Sequence, residues 1–216
     1  MAKKRIMLLG PPGSGKGTQS ERITKAYDIP VVATGDIFRK NISEGTPLGL
    51  KAKSYLEAGH LVPDELVIEL IKERLLAPDT QNGYLLDGFP RTTPQAEMLT
   101  EFLAGRGVRL DAVFYIKVPK DVLVSRIAGR WICPVCNKVY HVTARPPKVA
   151  GQCDIEGATL IQRGDDTAEM AEHRIDVYNK QTMPLVQYYI DQGLLVELDG
   201  TIGVDALEEQ IEEILG

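Results

Sequence analysis

Short apolar runs alternate with longer stretches of helical periodicity along this chain. Such runs, bounded by glycine, proline or polar residues, are typical of strands buried on both faces, and they lie at 5–9, 31–33, 84–86, 113–116 and 194–198. Apolar residues recur at helical spacing in 15–27, in a helix-rich region at 36–77, and in 94–104, 121–129, 167–190 and 204–214. The alternation predicts an α/β fold in which helices cover both faces of a parallel sheet.

Residues 131–162 interrupt this alternation. They hold all three cysteines, the only tryptophan and the pair Pro146-Pro147, and they show little helical spacing. The segments 139–142 and 159–161 have the pattern of short hairpin strands. We therefore expect a small insert in the α/β core, which is a candidate lid.

The composition narrows the classes of protein. The chain has 216 residues, 44% of them hydrophobic and 25% charged, which is typical of a globular protein and not of a disordered or coiled-coil one. No apolar run approaches the ~20 residues that a membrane span needs. The net charge of −5 argues against nucleic acid as the main partner. An odd cysteine count suggests a metal site or free thiols, and we expect a cytoplasmic protein.

A glycine-rich loop follows the first strand and precedes the first helix. Its sequence, Gly10-Pro-Pro-Gly-Ser-Gly-Lys16, has the spacing and the context of a P-loop, whose backbone N–H groups wrap phosphates while the lysine reaches the β- and γ-phosphates. In the general motif a Ser or Thr follows the lysine directly, but here Gly17 intervenes before Thr18. This departure, together with the lack of a guanine-reading Asn-Lys-x-Asp motif, argues against a switch GTPase.

Several motifs, in order along the chain, resemble the adenylate kinase family. They are 10–18, Thr34-Gly35-Asp36, 61–64, Tyr84-Leu-Leu-Asp-Gly-Phe-Pro-Arg-Thr92, Arg126-x-x-x-Arg130 and Arg163-x-Asp165-Asp166. The resemblance implies the P-loop nucleoside monophosphate kinase fold, a five-stranded parallel sheet with helices on both faces. It also implies a core at 1–32, 63–128 and 167–216, an AMP-binding insert at 33–62 and a lid at 129–166. The implied reaction is ATP + AMP ⇌ 2 ADP. We expect a monomer with no nucleic-acid or membrane partner.

The chemistry of this reaction requires positive charge. Two nucleotides that meet phosphate to phosphate need cationic groups and exclusion of water more than they need a base. Guanidinium groups bind phosphate oxygens in a fork, and the candidates are Arg39, Arg91, Arg126, Arg130, Arg163 and Arg174. Arg126 and Arg130 are four residues apart on a predicted helix, so we expect them on one face.

The resemblance also implies roles for individual residues. The catalytic set would be Lys16, Asp87, Arg91, Arg126, Arg130, Arg163 and Arg174. ATP would contact Gly13, Ser14, Gly15, Lys16, Gly17, Thr18, Arg130, Val139, Tyr140 and Ile202. AMP would contact Thr34, Arg39, His60, Leu61, Val62, Gly88, Arg91, Gln95, Arg163 and Arg174. The amide of Gln95 carries both a donor and an acceptor, so it suits the edge of adenine.

Three acidic residues have more specific expectations. Asp87 ends a strand, where a carboxylate can hold Mg²⁺ through its waters or, alternatively, satisfy the P-loop backbone. Asp64 is a plausible N-cap of the helix that follows. Asp166 has Glu169 at capping-box spacing. The resemblance implies the alternative, that Asp165 and Asp166 lie at the lid hinge and pair with arginines.

The cysteines have the spacing of a zinc ribbon. Cys133-x-x-Cys136 is followed by Cys153-x-x-Glu156, so three thiolates and one carboxylate could form a closed structural Zn²⁺ site. Asp154 and His141 are alternative fourth ligands, and a metal-free lid with buried thiols also stays open.

Two other functions fit parts of the sequence. One is a kinase for UMP or CMP, against which the long lid and Gln95 argue. The other is a regulatory P-loop protein that binds nucleic acid through a zinc ribbon, and the negative charge and the paired nucleotide signatures disfavour it.

Overall fold

The main element of the molecule is a five-stranded parallel sheet. A computed structural model describes residues 4–216, so residues 1–3 of the expected core lie outside it. The strands of the chain are β1 (Lys4–Leu9), β2 (Val31–Ala33), β3 (Gly83–Asp87), β4 (Ala112–Lys117), β5 (Arg130–Ile132), β6 (Val139–His141) and β7 (Leu195–Asp199). The sheet has the order β2-β3-β1-β4-β7, and every neighbouring pair is parallel. The fold class predicted from the sequence is confirmed.

Helices cover both faces of this sheet. They are α1 (Lys16–Tyr27), α2 (Thr34–Ser43), α3 (Pro47–Glu57), α4 (Asp64–Leu75), α5 (Thr93–Ala104), α6 (Lys120–Ala128), α7 (Ala168–Gln181), α8 (Pro184–Asp191) and α9 (Val204–Leu215). Side chains of β1 alternate between two hydrophobic cores, since Met7 and Leu9 join one and Ile6 and Leu8 the other. Burial on both faces explains why the strands read as continuous apolar runs. Within 4–216, no helix is long and apolar enough to span a membrane.

The register of the sheet brings three loops to one edge. Leu8 of β1 and Ala33 of β2 both pair with Asp87 of β3. The carboxyl ends of these three parallel strands therefore lie side by side. In open α/β sheets, ligands bind in the crevice outside these ends.

A small separate sheet lies in the segment that the sequence marked as an insert. Strands β5 and β6 pair antiparallel, and Tyr140 packs with Cys133, Cys153 and Leu160 in a cluster of its own. The predicted strand at 159–161 is wrong, because this segment makes only isolated bridges such as Ile132↔Ile161.

Two predicted helix boundaries are also wrong. The region 167–190 forms two helices because Pro184 has no N–H to continue the ladder and begins α8 instead. Helix α6 ends at Ala128, so Arg130 lies in β5 and does not share a helix face with Arg126.

Two predicted N-caps differ as well. Pro63 occupies the N-cap position of α4, and Asp64 is the first residue of the helix itself. The N-cap of α7 is Thr167, whose hydroxyl accepts from the N–H of Met170 at 3.2 Å. Asp166 is buried and pairs with Arg130, which was the alternative left open by the sequence.

The close crossing of α2 and α3 depends on Gly49. A Cβ atom there would collide with the carbonyl of Asn41 and the N–H of Ile42. We expect Gly49→Ala to lower the free energy of unfolding by about 1–3 kcal/mol through overpacking, seen as a lower melting temperature. Gly105→Ala is the matched control, since a Cβ there meets nothing closer than 3.4 Å. Equal melting of the two variants would contradict the prediction.

Candidate active site

The conformation of the P-loop is stabilised by hydrogen bonds from its own lysine to its backbone. It connects β1 to α1, and Gly15, the N-cap of α1, has φ 100° and ψ 7°, which favours glycine. The helix N-terminus behind it offers free N–H groups and a partial positive charge to an anion. Nζ of Lys16 donates to the carbonyls of Gly10 at 2.6 Å and Pro11 at 3.0 Å. Within 4–216, the buried hydroxyl of Ser14 has no hydrogen-bond partner.

Lys16 lies in a strongly positive environment. Burial lowers its pKa to about 8, and the charges of Arg91 and Arg174 act in the same direction, while Asp87 opposes them. Asp87 accepts from the hydroxyl of Ser20 at 3.2 Å. A carboxylate next to a P-loop lysine is suited to hold a hydrated divalent cation there.

Arginines from distant parts of the chain surround this lysine. Burial lowers the pKa of Arg91 to about 10, and Arg174 and Arg39 add to the effect. Burial also lowers the pKa of Arg163 to about 10, with Arg39 and Arg130 adding to it, and Nε of Arg163 is buried with no partner within the described chain. The charges of Arg91, Arg130 and Arg174 therefore act on Lys16, and Arg39 and Arg163 belong to the same group of cations through their effects on or from Arg91 and Arg130.

Two carboxylates, those of Asp165 and Asp166, form ion pairs with arginines of this group. Nε of Arg130 donates to Asp166 at 2.8 Å, and Nη2 of Arg130 donates to the other oxygen of the same carboxylate. Nη1 of Arg174 lies 2.8 Å from Asp165 and 3.5 Å from Asp166. The side chain of Asp166 is only 1% exposed, and its contacts with Arg130 of β5 and Arg174 of α7 link the start of the lid to α7.

Arg126 has a different position from the other candidate arginines. Its Nη2 donates to the carbonyl of Gly200 at 2.9 Å, in the turn after β7. Ile202 lies in the same turn and is 40% exposed. Gln19 of α1 also reaches this region and donates to the carbonyl of Val204 at 2.8 Å. Arg126 and Ile202 therefore lie together at the side of the P-loop near α9.

A separate cleft is lined by residues that the sequence assigned to AMP. Its walls come from α2, the 59–62 segment, the loop after β3 and the start of α5: Thr34, Gly35, Phe38, Leu56, His60, Leu61, Val62, Val67, Gly88, Arg91 and Gln95. Most of the AMP residues expected from the sequence are among them. A mostly apolar cleft with a few convergent polar groups is typical of a small-molecule site and suits a nucleoside.

The polar groups of this cleft are fixed by hydrogen bonds. The carbonyl of Gly88 accepts from the hydroxyl of Thr34 and from Nε of Arg91, both at 2.8 Å. Thr182, just after α7, donates to the carbonyl of Arg91 at 2.8 Å. Arg39 pairs with Asp36 and stays half-exposed at the cleft's outer side. The sequence did not indicate Thr182, because its contact joins residues that are far apart in the chain.

On the lid, the side chain of Tyr140 is directed inward. It is 1% exposed, its hydroxyl donates to Sγ of Cys153 at 3.4 Å, and the hydroxyl oxygen accepts from the N–H of Asp154 at 2.8 Å. The neighbouring Val139 is half-buried in β6. The ring of Tyr140 thus forms part of the lid's own small core.

The three cysteines form one group. Their sulfur atoms lie within 4.8 Å of one another, those of Cys136 and Cys153 are 3.6 Å apart, and all three are free thiols. Burial opposes ionisation of Cys153, but the N–H groups of Glu156 and Ile155 and the Tyr140 hydroxyl lower its pKa to about 6. Thiolates at this spacing are suited to bind a soft metal ion.

Two turns that carry these cysteines have the same backbone hydrogen bonds. In 133–138, the Cys133 N–H donates to the carbonyl of Lys138 at 3.0 Å, and the Asn137 N–H donates to that of Cys133 at 3.0 Å. In 153–158, Cys153 donates to Ala158 at 2.8 Å, and Gly157 donates to Cys153 at 2.9 Å. Glu156 therefore occupies in the second turn the position that Cys136 has in the first.

Asp154 and His141, the alternative fourth ligands of the expected zinc site, make hydrogen bonds to backbone N–H groups. Asp154 accepts from the N–H of Lys148 at 2.8 Å. Nδ1 of His141 accepts from the N–H groups of Thr143 and Ala144 at 3.2 and 3.1 Å.

Known proteins are similar in sequence to this chain over nearly its whole length. Residues 8–194 match the protein family described as adenylate kinase. An adenylate kinase of Clostridium beijerinckii is 51% identical over 212 residues, 98% of each chain. One of Moorella thermoacetica is 52% identical, also over 98% of each chain, and one of Clostridium botulinum is 50% identical over 98% of this chain and 99% of its own. A family match over most of the chain, together with relatives of this identity and coverage, shows that the chain belongs to the adenylate kinase family.

Proposed function

We propose that this enzyme transfers a phosphoryl group reversibly between Mg-ATP and AMP to give two ADP, with Lys16 and the converging arginines as the groups that stabilise the transition state. The observation that carries the proposal is the position of these cations. They lie between the P-loop, which suits a triphosphate, and the cleft lined by Gln95, which suits a nucleoside.

The residues can perform this reaction through charge and position. Lys16 reaches the β- and γ-phosphates from the P-loop, and Arg91 reaches the acceptor phosphate from the cleft side. Arg130, Arg163 and Arg174 bind the equatorial oxygens, on which negative charge is distributed in the transition state. No general base is needed, because the acceptor phosphate oxygen is already ionised.

Magnesium would enter with ATP. Asp87 and Thr18 would hold it, since the Asp87 carboxylate lies at the carboxyl end of β3 next to Lys16 and Thr18 is in the first turn of α1. When bound, the ion neutralises part of the charge on the ATP phosphates.

We propose that segments 33–62 and 129–166 move relative to the core, as insert and lid. Without phosphates, the closed arrangement brings Lys16 and five arginines together at an electrostatic cost, so bound nucleotides should favour closure. Closure also excludes water, which would otherwise compete with AMP for the phosphoryl group. The contacts of Asp165 and Asp166 with Arg174 connect the lid to α7.

The deciding experiment is ADP formation from Mg-ATP with AMP, UMP, CMP or GMP as the acceptor. We expect AMP to be strongly preferred. Arg91→Ala should lower kcat/KM by about 10²–10³-fold, since it removes charge at the transferring group. Arg109→Ala, which changes an exposed arginine in the loop between α5 and β4, is the control and should leave the rate unchanged. A preference for UMP or CMP would overturn the role of Gln95, and no transfer to any acceptor would overturn the proposal.

The lowered pKa of Lys16 predicts a proton uptake on nucleotide binding. Phosphates favour the charged amine, so binding raises its pKa from about 8. Affinity should therefore be constant at neutral pH and fall as the pH rises through about 8, where the free enzyme loses the proton. Calorimetry of Mg-ATP binding near pH 8, in buffers of different ionisation enthalpy, should show uptake of about half a proton.

Matched variants test the assignment to this lysine. Lys16→Met should bind more weakly and without that uptake. Lys25→Met, which changes an exposed lysine of the same helix, should keep it. Buffer-independent heats for the wild-type enzyme would contradict the prediction.

We also propose that the lid binds a structural Zn²⁺ through Cys133, Cys136, Cys153 and Glu156. The grouped thiols and the equivalent turn positions of Cys136 and Glu156 support this set. The engagement of Asp154 and His141 by backbone N–H groups argues against either as the fourth ligand. A bound ion would stabilise a lid whose own hydrophobic cluster is small.

Purification without chelator should give about one zinc per chain, measured by elemental analysis. Cys133→Ser should lose the metal and lower the melting temperature, but transfer at low temperature should remain, because the sulfurs do not touch the phosphates. Val135→Ala, an exposed position in the same turn, is the control. Glu156→Ala should weaken zinc affinity and Asp154→Ala should not. Near-zero zinc in the wild-type protein would contradict the site.

A further inference from the structure

Asp64 makes contacts that a helix cap does not explain. It is the first residue of α4, and its side chain does not cap that helix. Its Oδ1 accepts from Nε2 of Gln95 at 2.6 Å, and its Oδ2 accepts from the hydroxyl of Thr92 at 3.0 Å. Thr92 is the N-cap of α5, and its hydroxyl oxygen accepts from the Gln95 N–H at 3.3 Å. Asp64 thus joins α4 to the start of α5 directly behind the acceptor cleft.

These contacts determine which way the Gln95 amide is oriented. Oε1 of Gln95 lies 2.7 Å from the backbone nitrogen of Arg91, which can only donate. The nitrogen of the amide faces Asp64, and an ionised carboxylate can only accept. If the amide were rotated by 180°, a donor would face a donor and an acceptor would face an acceptor. Gln95 is 2% exposed, so water could not compensate.

The atoms that remain free on the amide define the ligand. One N–H and one oxygen lone pair of Gln95 are still available, and Gln95 lines the cleft. In this orientation the amide can donate to a ring nitrogen and accept from an adjacent amino group. A 6-aminopurine offers this pair of atoms at N1 and at the 6-amino group. A 6-oxopurine carries a hydrogen on N1 and an oxygen at position 6, so both interactions would be mismatched.

We propose that Asp64 is a positioning residue that fixes the orientation of the Gln95 amide and thereby selects a 6-aminopurine monophosphate over a 6-oxopurine monophosphate. The proposal rests on the proposed function, in which this cleft binds the acceptor nucleotide. Asp64 acts through Gln95 and does not touch the substrate. The energetic basis is that a polar site built for one pattern of donors strongly rejects the reversed pattern, because groups are then left unpaired.

The test measures kcat/KM for AMP and for IMP, which differ only at the edge that Gln95 would contact. Asp64→Ala removes the acceptor, so the amide can rotate, and the AMP/IMP ratio should fall by about tenfold or more. Asp64→Asn keeps the shape but loses one acceptor, and its ratio should be intermediate. Glu65→Ala, the exposed neighbour on the same turn, should keep the wild-type ratio. The KM for ATP should not change in any of them.

The ratio separates positioning from stability. A variant that is partly unfolded loses activity with both acceptors equally, so the ratio for the remaining enzyme is not affected. If both Asp64 variants keep the wild-type ratio while Gln95→Leu loses it, the role of Asp64 is overturned and the acceptor site stands. If Gln95→Leu changes neither the AMP KM nor the ratio, the placement of the acceptor base is itself wrong. In the double variant Asp64→Ala/Gln95→Leu, we expect no loss of selectivity beyond that of Gln95→Leu.

Discussion

The parallel pairing of β1 with β3 is the constraint on which the rest of the site depends. Because Leu8 pairs with Asp87, the P-loop after β1 and the Gly88–Arg91 loop after β3 leave the same edge of the sheet side by side. The triphosphate cradle and the acceptor cleft are therefore neighbours by register. A register shift of one residue would move each side chain of β1 from its own hydrophobic core to the opposite face of the sheet. Packing in the two cores therefore maintains the register that places the two loops side by side.

Carboxylates among the cations at this edge offset part of the repulsion between them. Lys16, Arg91 and Arg163 have lowered pKa values, caused first by burial and then by the charges of neighbouring arginines. Asp87 opposes the effect from the core, and Asp165 and Asp166 oppose it from the lid side. The charges that phosphates would neutralise are thus partly neutralised by groups that stay in place.

The sequence predicted the parts of the molecule that depend on local pattern. Strands buried on both faces, the P-loop and the helix-rich region at 36–77 were all identified from short-range spacing. The errors concern residues whose roles are set by long-range contacts. Arg130 was expected on a helix but lies in β5, because that segment pairs with β6. Asp166 was expected to cap a helix from its spacing, but its carboxylate accepts from Arg130 instead. Asp64 is a residue type that favours an N-cap, but its carboxylate accepts from the side-chain amide of Gln95, 31 residues away.

Arg91 shows how charge recognition and base recognition can share one residue. Its guanidinium belongs to the cationic group, where attraction to phosphate does not depend on which base the nucleotide carries. Its backbone N–H fixes one side of the Gln95 amide, and Asp64 fixes the other. In the proposed mechanism, phosphate binding and base selection are therefore linked through the loop after β3, but they depend on different interactions. Charge provides strength and rate, whereas a neutral amide with a fixed orientation provides the discrimination, because only a directional donor and acceptor pair can distinguish two purines of the same size and charge.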